Sequence, residues 1–227
     1  MWSDIKSAAE HAGPSPMFTW LHEAGRIELS GITFLNAVSK AANFIADGLE
    51  IEPEQPVYVN LGNHWQSPVW TCAVVACGAV LSDTPGQTNI VNRQEATVLN
   101  HAVVVSQDPF GMPERDLPPQ VINASNEVRG FGDYFAPRTP TTESTMLTSW
   151  GVDVQQAKIT MDHMRSEWAI REGESIGIAL SPKPQAAILW HCFFSIFNRS
   201  PMVLLDGEFL PDVVRAQEHI GHLVDLR

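Results

Sequence analysis

One short motif of the sequence could support nucleophilic chemistry. Gly173–Gly177 matches the G-x-S-x-G pattern of a serine nucleophile elbow, with Ser175 at its centre. Acid and base candidates follow in the order that a triad requires: Asp206 or Asp212, and then His219 or His222. An elbow places its serine after a strand and before a helix. Here a helical pattern and a polar turn precede Ser175, and the predicted strand Ile176–Leu180 follows it. This order argues against a nucleophile, and a serine hydrolase stays the weaker alternative.

The histidines near the end of the sequence could also be metal ligands. His219 and His222 fall on a predicted helix over Phe209–Val224, close to Glu218 and Asp225. Two side chains three positions apart share one face of a helix. A closed zinc site needs four ligands, however, and no cysteine or HExxH pattern accompanies these residues. We therefore expect an amphipathic helix with a solvated face, and no metal.

A hydroxyl-rich segment, Thr139–Ser149, is the nearest approach to a phosphate loop. Its candidate anion-binding residues are Thr141, Thr142, Ser144 and Thr145. A phosphate cradle needs glycines that let backbone N–H groups converge, usually with a lysine or arginine. Between Pro140 and Gly151 the sequence has neither, and Glu143 would repel a phosphate. We expect a degenerate loop that binds a small anion at most.

The elements that would position these residues alternate between strand and helix. A hairpin is predicted around Gly25, followed by a helix with Thr33 as its N-cap. The further predictions are strands at Val57–Leu61, Ala79–Leu81, Ala102–Ser106, Gln120–Ile122 and Met202–Leu205, and helices at Trp65–Cys77, Asn92–Asn100, Val152–Trp168 and Pro184–Phe197. The alternation predicts an α/β fold with mostly parallel sheets.

One pattern occurs twice along the chain. The segment Ile51–Leu61 resembles Ile170–Leu180, and each is followed by a Pro-containing turn, an apolar helix with a tryptophan and a short strand. We interpret this as two related α/β halves within a single domain of residues 1–227. The halves cover roughly 1–106 and 150–227, and an irregular segment rich in proline and glycine, 107–149, joins them.

The composition excludes some classes of partner. A formal net charge of −12 disfavours nucleic acids and anionic membrane surfaces. The longest apolar stretch, Pro68–Leu81, is shorter than the roughly 20 residues of a membrane helix. The N-terminal residues contain no apolar signal core, so we expect a cytoplasmic protein. Three cysteines, Cys72, Cys77 and Cys192, form no CxxC pair and are expected to be small buried residues.

In order and spacing, several segments resemble the N-terminal domain of acyl-adenylate-forming enzymes such as the acyl-CoA synthetases. Ile32–Leu35 with Ala41–Ile45 is similar to that family's "lTYxeL…lA" helix, and Ile51–Leu61 to its "GvxxGDrVaixlp" strand. Pro68–Asp83 is similar to "lAxlkaGavxvP", and Ala169–Leu205 to "dxxLsxlPlfHxxg…pLlxGaxvvl". The resemblance covers almost the whole chain, and it places His191 at the motif histidine, where it would line an acyl pocket.

The departures from that family determine the expected function. The phosphate loop "TSGTTGxPK" should fall near Thr141–Trp150, which keeps hydroxyl groups but lacks the glycines and the lysine. The sequence printed here ends at Arg227, before the family's "YGxTE" motif, its hinge and its C-terminal domain. We therefore expect no adenylation activity and no cofactor, although ATP or AMP remains a conceivable ligand.

Two expectations concern what this protein binds. It would act as a binding or interaction protein for a small acyl or nucleotide ligand, or for a protein partner. The alternative is half of a ligase that another chain completes. The helix Pro184–Phe197 carries Trp190, Phe193, Phe194 and Phe197, so we expect the cleft of the family either to be filled by aromatic side chains or to be covered in a homodimer.

Overall fold

The computed structural model of the protein describes residues 1–23, 25–171, 174–179 and 185–225. Its helices are α1 (Trp2–Ala12), α2 (Gly31–Asn43), α3 (Gln66–Ala76), α4 (Arg93–Ala96), α5 (Ala124–Glu127), α6 (Val154–Glu167), α7 (Gln185–Asn198) and α8 (Pro211–Gln217). A π-helical turn, Phe44–Gly48, extends α2, and a 3-10 turn, Val128–Gly130, follows α5. The strands are β1 (Pro16–His22), β2 (Gly25–Ser30), β3 (Pro56–Asn60), β4 (Val80–Ser82), β5 (Asn89–Val91), β6 (Ala102–Val104), β7 (Ile122–Asn123), β8 (Ser175–Ala179), β9 (Met202–Asp206) and β10 (Ile220–Asp225).

These strands form two five-stranded sheets. The first sheet has the order β10-β8-β9-β1-β2 and is parallel except for the β1–β2 hairpin, which confirms the predicted hairpin. The second sheet has the order β4-β3-β5-β6-β7 and is parallel throughout. The predicted α/β fold with mostly parallel sheets is therefore confirmed.

Helix α3 lies in the interior of the molecule. Every one of its residues is buried, and it contacts α1, α2 and α7 as well as β3 and β4. A helix that is apolar on all sides must be covered on all sides, which explains why its sequence shows no amphipathic stripe. Through α3 and α7, one apolar core connects the faces of both sheets.

The repeated pattern appears in the topology as two βαβ units. In the first, β3 and β4 are parallel neighbours joined through α3, and Val57 pairs with Leu81. In the second, β8 and β9 are parallel neighbours joined through α7, and Ile176 pairs with Met202. The first sheet nevertheless contains strands from both proposed halves, 1–106 and 150–227, because β1 and β2 pair in one sheet with β8, β9 and β10. A division of the chain at 107–149 stays a prediction.

Some predicted boundaries were wrong for local reasons. Helix α2 begins at Gly31, and its N-cap is Ser30, whose hydroxyl oxygen accepts a hydrogen bond from the Thr33 amide at 3.2 Å. The polar helix predicted over Asn92–Asn100 is shorter in the structure, where only α4 is helical and the Asn92 side chain is its N-cap. Strand β5 and helix α1 were not predicted, because β5 has three residues and α1 buries mainly small ones, Ala8 and Ala9.

The largest correction concerns the end of the chain, where a helix over Phe209–Val224 was predicted. Helix α8 ends at Gln217, and His219 adopts a left-handed conformation with φ 51°. The residues after it form β10, which pairs in parallel with β8 and places Leu223 opposite Gly177. Pairing with a neighbouring strand outweighs the local helical pattern here, as tertiary context commonly does.

Candidate functional site

The predicted phosphate loop is held together by its own side chains. The Thr142 amide donates to Thr145 Oγ1 at 2.9 Å, and the Thr142 hydroxyl lies 3.1 Å from that of Ser144. The Glu143 and Thr145 carbonyls accept hydrogen bonds from the first turn of α6. The side chain of Thr141 is half-buried. The side chains of Thr142, Ser144 and Thr145 therefore lie within hydrogen-bond distance of one another or of the backbone and stabilise a turn that leads into α6.

The segment after this turn lies beside the second sheet. Leu81 of β4 donates its amide to the Leu147 carbonyl at 2.9 Å and accepts from the Ser149 amide at 2.8 Å. The chain then reverses through Trp150 and Gly151, which has φ 95°, and the Thr148 hydroxyl accepts from the Val152 amide at 3.0 Å. A strand followed by a tight turn and a helix is the local framework of a phosphate loop. Here an isolated β-bridge between Thr148 and Leu81 stands in place of the strand, and the residues offer neither a run of glycines nor a cation.

A small cavity lies between β3, β4, α3 and α7. Its volume is about 20 Å³, and its walls include Asn60, Thr71, Ser82, Ile188 and Leu189. A cavity of this size holds about one water molecule. The large side chains around it, such as Trp70 of α3, are fully buried. As bounded by the described residues, this cavity is too small for an acyl chain.

His191 is buried in a stack of rings and does not line that cavity. Its imidazole lies 5.7 Å from the Trp168 ring, and Trp168 also stacks on His222, with ring centroids 4.2 Å apart and the rings nearly parallel. Phe194 also packs on Trp168, at 5.7 Å. Burial lowers the pKa of His222, and Arg215 adds to that effect. These contacts give His191 a structural role in a packed aromatic cluster, and its role as a pocket residue remains a prediction.

Sequence reasoning missed a polar junction at the carboxyl ends of the strands. The loop after β3 carries Asn63, whose carbonyl accepts from the Trp20 indole N–H at 2.8 Å and whose side-chain amide donates to the Leu205 carbonyl of β9. On its other side, Gln66 Nε2 donates to the Ser106 carbonyl at 2.9 Å. This loop thus joins both sheets at their carboxyl edges. In parallel α/β sheets, this is the edge at which ligands usually bind.

His64 is the most perturbed group of this junction. It is buried against Trp20, with ring centroids 4.5 Å apart, and its Nδ1 accepts from the Gln66 amide at 3.3 Å. Burial lowers the pKa of His64 to about 3, and nearby His22 contributes in the same direction. His64 is therefore neutral at physiological pH, with the proton on Nε2.

Four buried polar atoms of the junction make no hydrogen bond within the described part of the chain. They are Asn63 Oδ1, His64 Nε2, Trp65 Nε1 and Gln107 Nε2. Buried polar atoms normally have a partner, because leaving one unpaired costs about 1–3 kcal/mol. Three donors and one acceptor would suit a small polar molecule. The only signal in the sequence is the run Gly62–Trp65 directly after a strand.

Ser175 does not have the surroundings of a nucleophile. It is the first residue of β8, which confirms the predicted turn-to-strand context, and its hydroxyl donates to the Glu218 carbonyl at 2.6 Å. The motif residue Gly173 lies outside the described residues. The Ser175 amide donates to the His219 carbonyl at 3.0 Å, so the backbone of His219, and not its imidazole, meets the serine.

We expect purified protein to show no labelling of Ser175 by a fluorophosphonate probe, because the hydroxyl is buried and committed to a carbonyl. The measurement is gel fluorescence and peptide mass spectrometry, with an active serine hydrolase as positive control and Ser175→Ala as the matched variant. Stoichiometric labelling that disappears in Ser175→Ala would contradict the expectation.

The described residues contain no cluster of side chains that could bind a metal ion. No group of three or more His, Cys, Asp or Glu side chains among these residues could hold an ion, and His219 and His222 lie on a turn and a strand instead of one helix face. The three cysteines are free and buried, as predicted. Burial raises the pKa of Cys72 to about 12, so this thiol is inert.

The fold resembles the N-terminal domain of acyl-CoA-synthetase-like structures. The structure is similar to the acyl-CoA synthetase of Brucella canis, with a TM-score of 0.78 at 12% identity over 96% of this chain and 46% of that one. It is also similar to apo MatB of Rhodopseudomonas palustris (TM-score 0.70, 12% identity, 95% and 47%) and to the nonribosomal peptide synthetase FmoA3 (TM-score 0.67, 15% identity, 96% and 24%). The predicted resemblance to the N-terminal domain of this superfamily is confirmed at the level of the fold.

Among curated proteins, the chain is similar to a "TIGR03089 family protein" of Mycobacterium tuberculosis. The two are 31% identical over an alignment of length 136, which covers 54% of this chain and 56% of that protein. The chain thus spans about half the length of the curated relative and of the Brucella canis and Rhodopseudomonas palustris structures, and 24% of FmoA3. The sequence matches no protein-family model. Among the described residues, none of the helices has the length and apolar character needed to cross a bilayer.

Proposed function

We propose that this chain is a binding protein with an acyl-CoA-synthetase-like fold that does not form acyl-adenylates. The observation that carries the proposal is the loop between Pro140 and Gly151, which contains no basic residue and no internal glycine. Adenylation brings a carboxylate against ATP, so it requires cationic and backbone N–H stabilisation of the phosphates. A shared fold alone does not supply that chemistry.

The geometry of the loop supports the proposal. The hydroxyls of Thr142, Ser144 and Thr145 lie within hydrogen-bond distance of one another, and Glu143 is exposed in their midst. A triphosphate would have to break these contacts and approach a carboxylate. The proposal includes a small acyl or nucleotide molecule as the ligand, and a second copy of the chain or another protein as a partner. It also includes a cytoplasmic location.

The packing around α7 supports the first of the two expectations for the family's cleft, namely that side chains of the chain itself fill it. Cys192, Phe193 and Phe194 are buried, and the cavity beside this helix holds about 20 Å³. Filling by side chains therefore accounts for the helix better than a dimer does, because the described part of α7 contributes none of the exposed large apolar side chains.

The test is pyrophosphate release from Mg·ATP in the presence of a panel of short, long and aromatic carboxylic acids. We expect release at the background rate with every acid, and the same rate for Thr142→Ala and Thr145→Ala. A full-length acyl-CoA synthetase serves as positive control. Release above background that Thr142→Ala abolishes would refute the proposal, because it would show a functional phosphate loop.

A second candidate is a ligase half that another chain completes. The observation that favours it is the similarity over 96% of this chain to the Brucella canis acyl-CoA synthetase. The same assay separates the two candidates when the separately purified C-terminal domain of an acyl-CoA synthetase is added. Acid-dependent pyrophosphate release in that mixture supports the ligase half, and background release supports the binding protein.

A further inference from the structure

The outer face of the first sheet, opposite α1 and α7, has a small core of its own. Four buried side chains form it: Val203 and Leu205 of β9, Val214 of α8 and Ile220 of β10. Their neighbours on β9, Met202 and Leu204, point to the other face and belong to the main core. Because few side chains pack on the outer face, only a small part of the apolar burial of the fold holds α8 against the sheet.

Helix α8 and strand β10 form one unit at the edge of that sheet. Among the described residues, β10 pairs only with β8, and its register is irregular between Ile220 and His222. Arg215 of α8 donates through Nη2 to the Gly221 carbonyl of β10 at 3.3 Å, so the helix and the strand are bonded to each other. A helix of seven residues is not stable by itself, so α8 depends on β10 and on the small core.

This unit contacts its neighbours at the start of β8 and at Trp168. The Ser175 amide donates to the His219 carbonyl at 3.0 Å, and the Ser175 hydroxyl donates to the Glu218 carbonyl at 2.6 Å. The His222 ring stacks on Trp168, which follows α6, with centroids 4.2 Å apart. These contacts are local and involve neutral groups, so each of them contributes modestly.

A stronger polar contact comes from the opposite edge of the sheet. Arg26 of β2 donates through Nε and Nη2 to both carboxylate oxygens of Glu218, at 3.1 and 3.0 Å. Glu218 directly follows α8, and its side chain is only 13% exposed. Glu28, also on β2, pairs with the same guanidinium at 2.7 Å. The bonds of a bidentate arginine–carboxylate pair are charge-assisted and roughly twice as strong as neutral ones, so this pair connects β2 firmly to the end of α8.

We propose that residues 211–225 form a flap that opens as a unit while the rest of the fold stays closed, and that the Arg26–Glu218 ion pair holds this flap shut. Opening removes β10 from β8 and uncovers Val203 and Leu205, which gives the sheet an unpaired strand edge beside an apolar patch. Elements with few buried apolar contacts open locally at a lower free energy than the core does. The inference goes beyond the proposed function, since it concerns a face of the sheet that adenylation does not involve.

The test is amide hydrogen exchange of the full chain, followed by mass spectrometry of peptides from the flap, β9 and α3. In the wild type we expect protection factors at least about tenfold lower in the flap than in β9 and α3, because the flap opens locally. Arg26→Gln should accelerate exchange in the flap by about a further tenfold, the factor that a hydrogen bond to a charged group accounts for. Exchange in β9 and α3 should not change.

Arg93→Gln is the matched control, because Arg93 of α4 pairs with Glu114 at 3.3 Å beside the second sheet and should leave exchange in the flap unchanged. Glu218→Gln should act like Arg26→Gln, and the double variant should exchange no faster than either single variant if the two residues act as a pair. Glu218→Gln also replaces Arg26→Gln if that variant fails to fold.

The wild-type comparison needs no variant. Equal protection of the flap, β9 and α3 in the wild type would overturn the flap. Arg26→Gln and Glu218→Gln that accelerate no region, or all three regions equally, would overturn the role of the ion pair. None of these outcomes bears on pyrophosphate release, which tests the proposed function separately.

Discussion

Replacing Phe194 by alanine is expected to lower the free energy of unfolding by about 3–5 kcal/mol, which is the usual cost of truncating a core phenylalanine. Phe194 is 0% exposed and packs on the Trp168 ring at 5.7 Å. Its ring also belongs to the core that joins both sheets through α7. The surrounding elements therefore cannot move in to fill the cavity that the substitution leaves.

The measurement is urea unfolding followed by tryptophan fluorescence. Phe110→Ala is the matched control: Phe110 is 81% exposed, so its truncation should change the stability by no more than about 0.5 kcal/mol. A loss below about 1 kcal/mol for Phe194→Ala would mean that α7 is loosely packed. It would then leave room for an acyl chain beside the helix, against the closed cleft described above.

The stability of the wild type should fall by about 3 kcal/mol between pH 6.5 and pH 4 because of His64 alone. Burial lowers the pKa of His64 to about 3, and the unfolded chain takes up the proton near pH 6.5. Below that pH the unfolded state binds more protons, so stability drops by about 1.4 kcal/mol per pH unit until the folded pKa is reached.

His64→Gln should remove this part of the pH dependence. Unfolding by urea at several pH values measures it, and the difference between the two proteins cancels opposing groups such as Asp206, whose pKa burial raises. The control is His163→Gln, which replaces a histidine whose side chain is 77% exposed and so reports the effect of a surface substitution in the same assay. If the free energy of unfolding depends on pH in the same way for wild type and His64→Gln, His64 is accessible to water. The description of the junction as buried would then be wrong.

The parts of the fold that could be predicted are those whose signal is local. The βαβ units around α3 and α7 were predictable because long apolar runs are bounded by glycine and proline, as at Gly78 and Pro201. The conversion of the predicted C-terminal helix into β10 was not, because its cause is pairing with β8. Two helices and a strand, α7, β9 and α8, separate β8 from β10 along the chain, so no local pattern in either strand indicates that they pair.

The candidate site also has one feature that the sequence predicts and one that arises only from contacts between distant parts of the chain. The lack of cations between Pro140 and Gly151 could be read directly, since it is a property of composition. The junction of Asn63 and His64 could not, because its partners Trp20 and Leu205 come from distant parts of the chain.

The measurement that tests the central claim most directly is detection of an acyl-adenylate itself. The purified chain is incubated with Mg·ATP and hexanoate, and the quenched mixture is analysed by mass spectrometry for hexanoyl-AMP, with a full-length acyl-CoA synthetase as positive control. The account predicts no hexanoyl-AMP above the level of a protein-free blank. Hexanoyl-AMP formed by the wild type and lost in Thr142→Ala would contradict it.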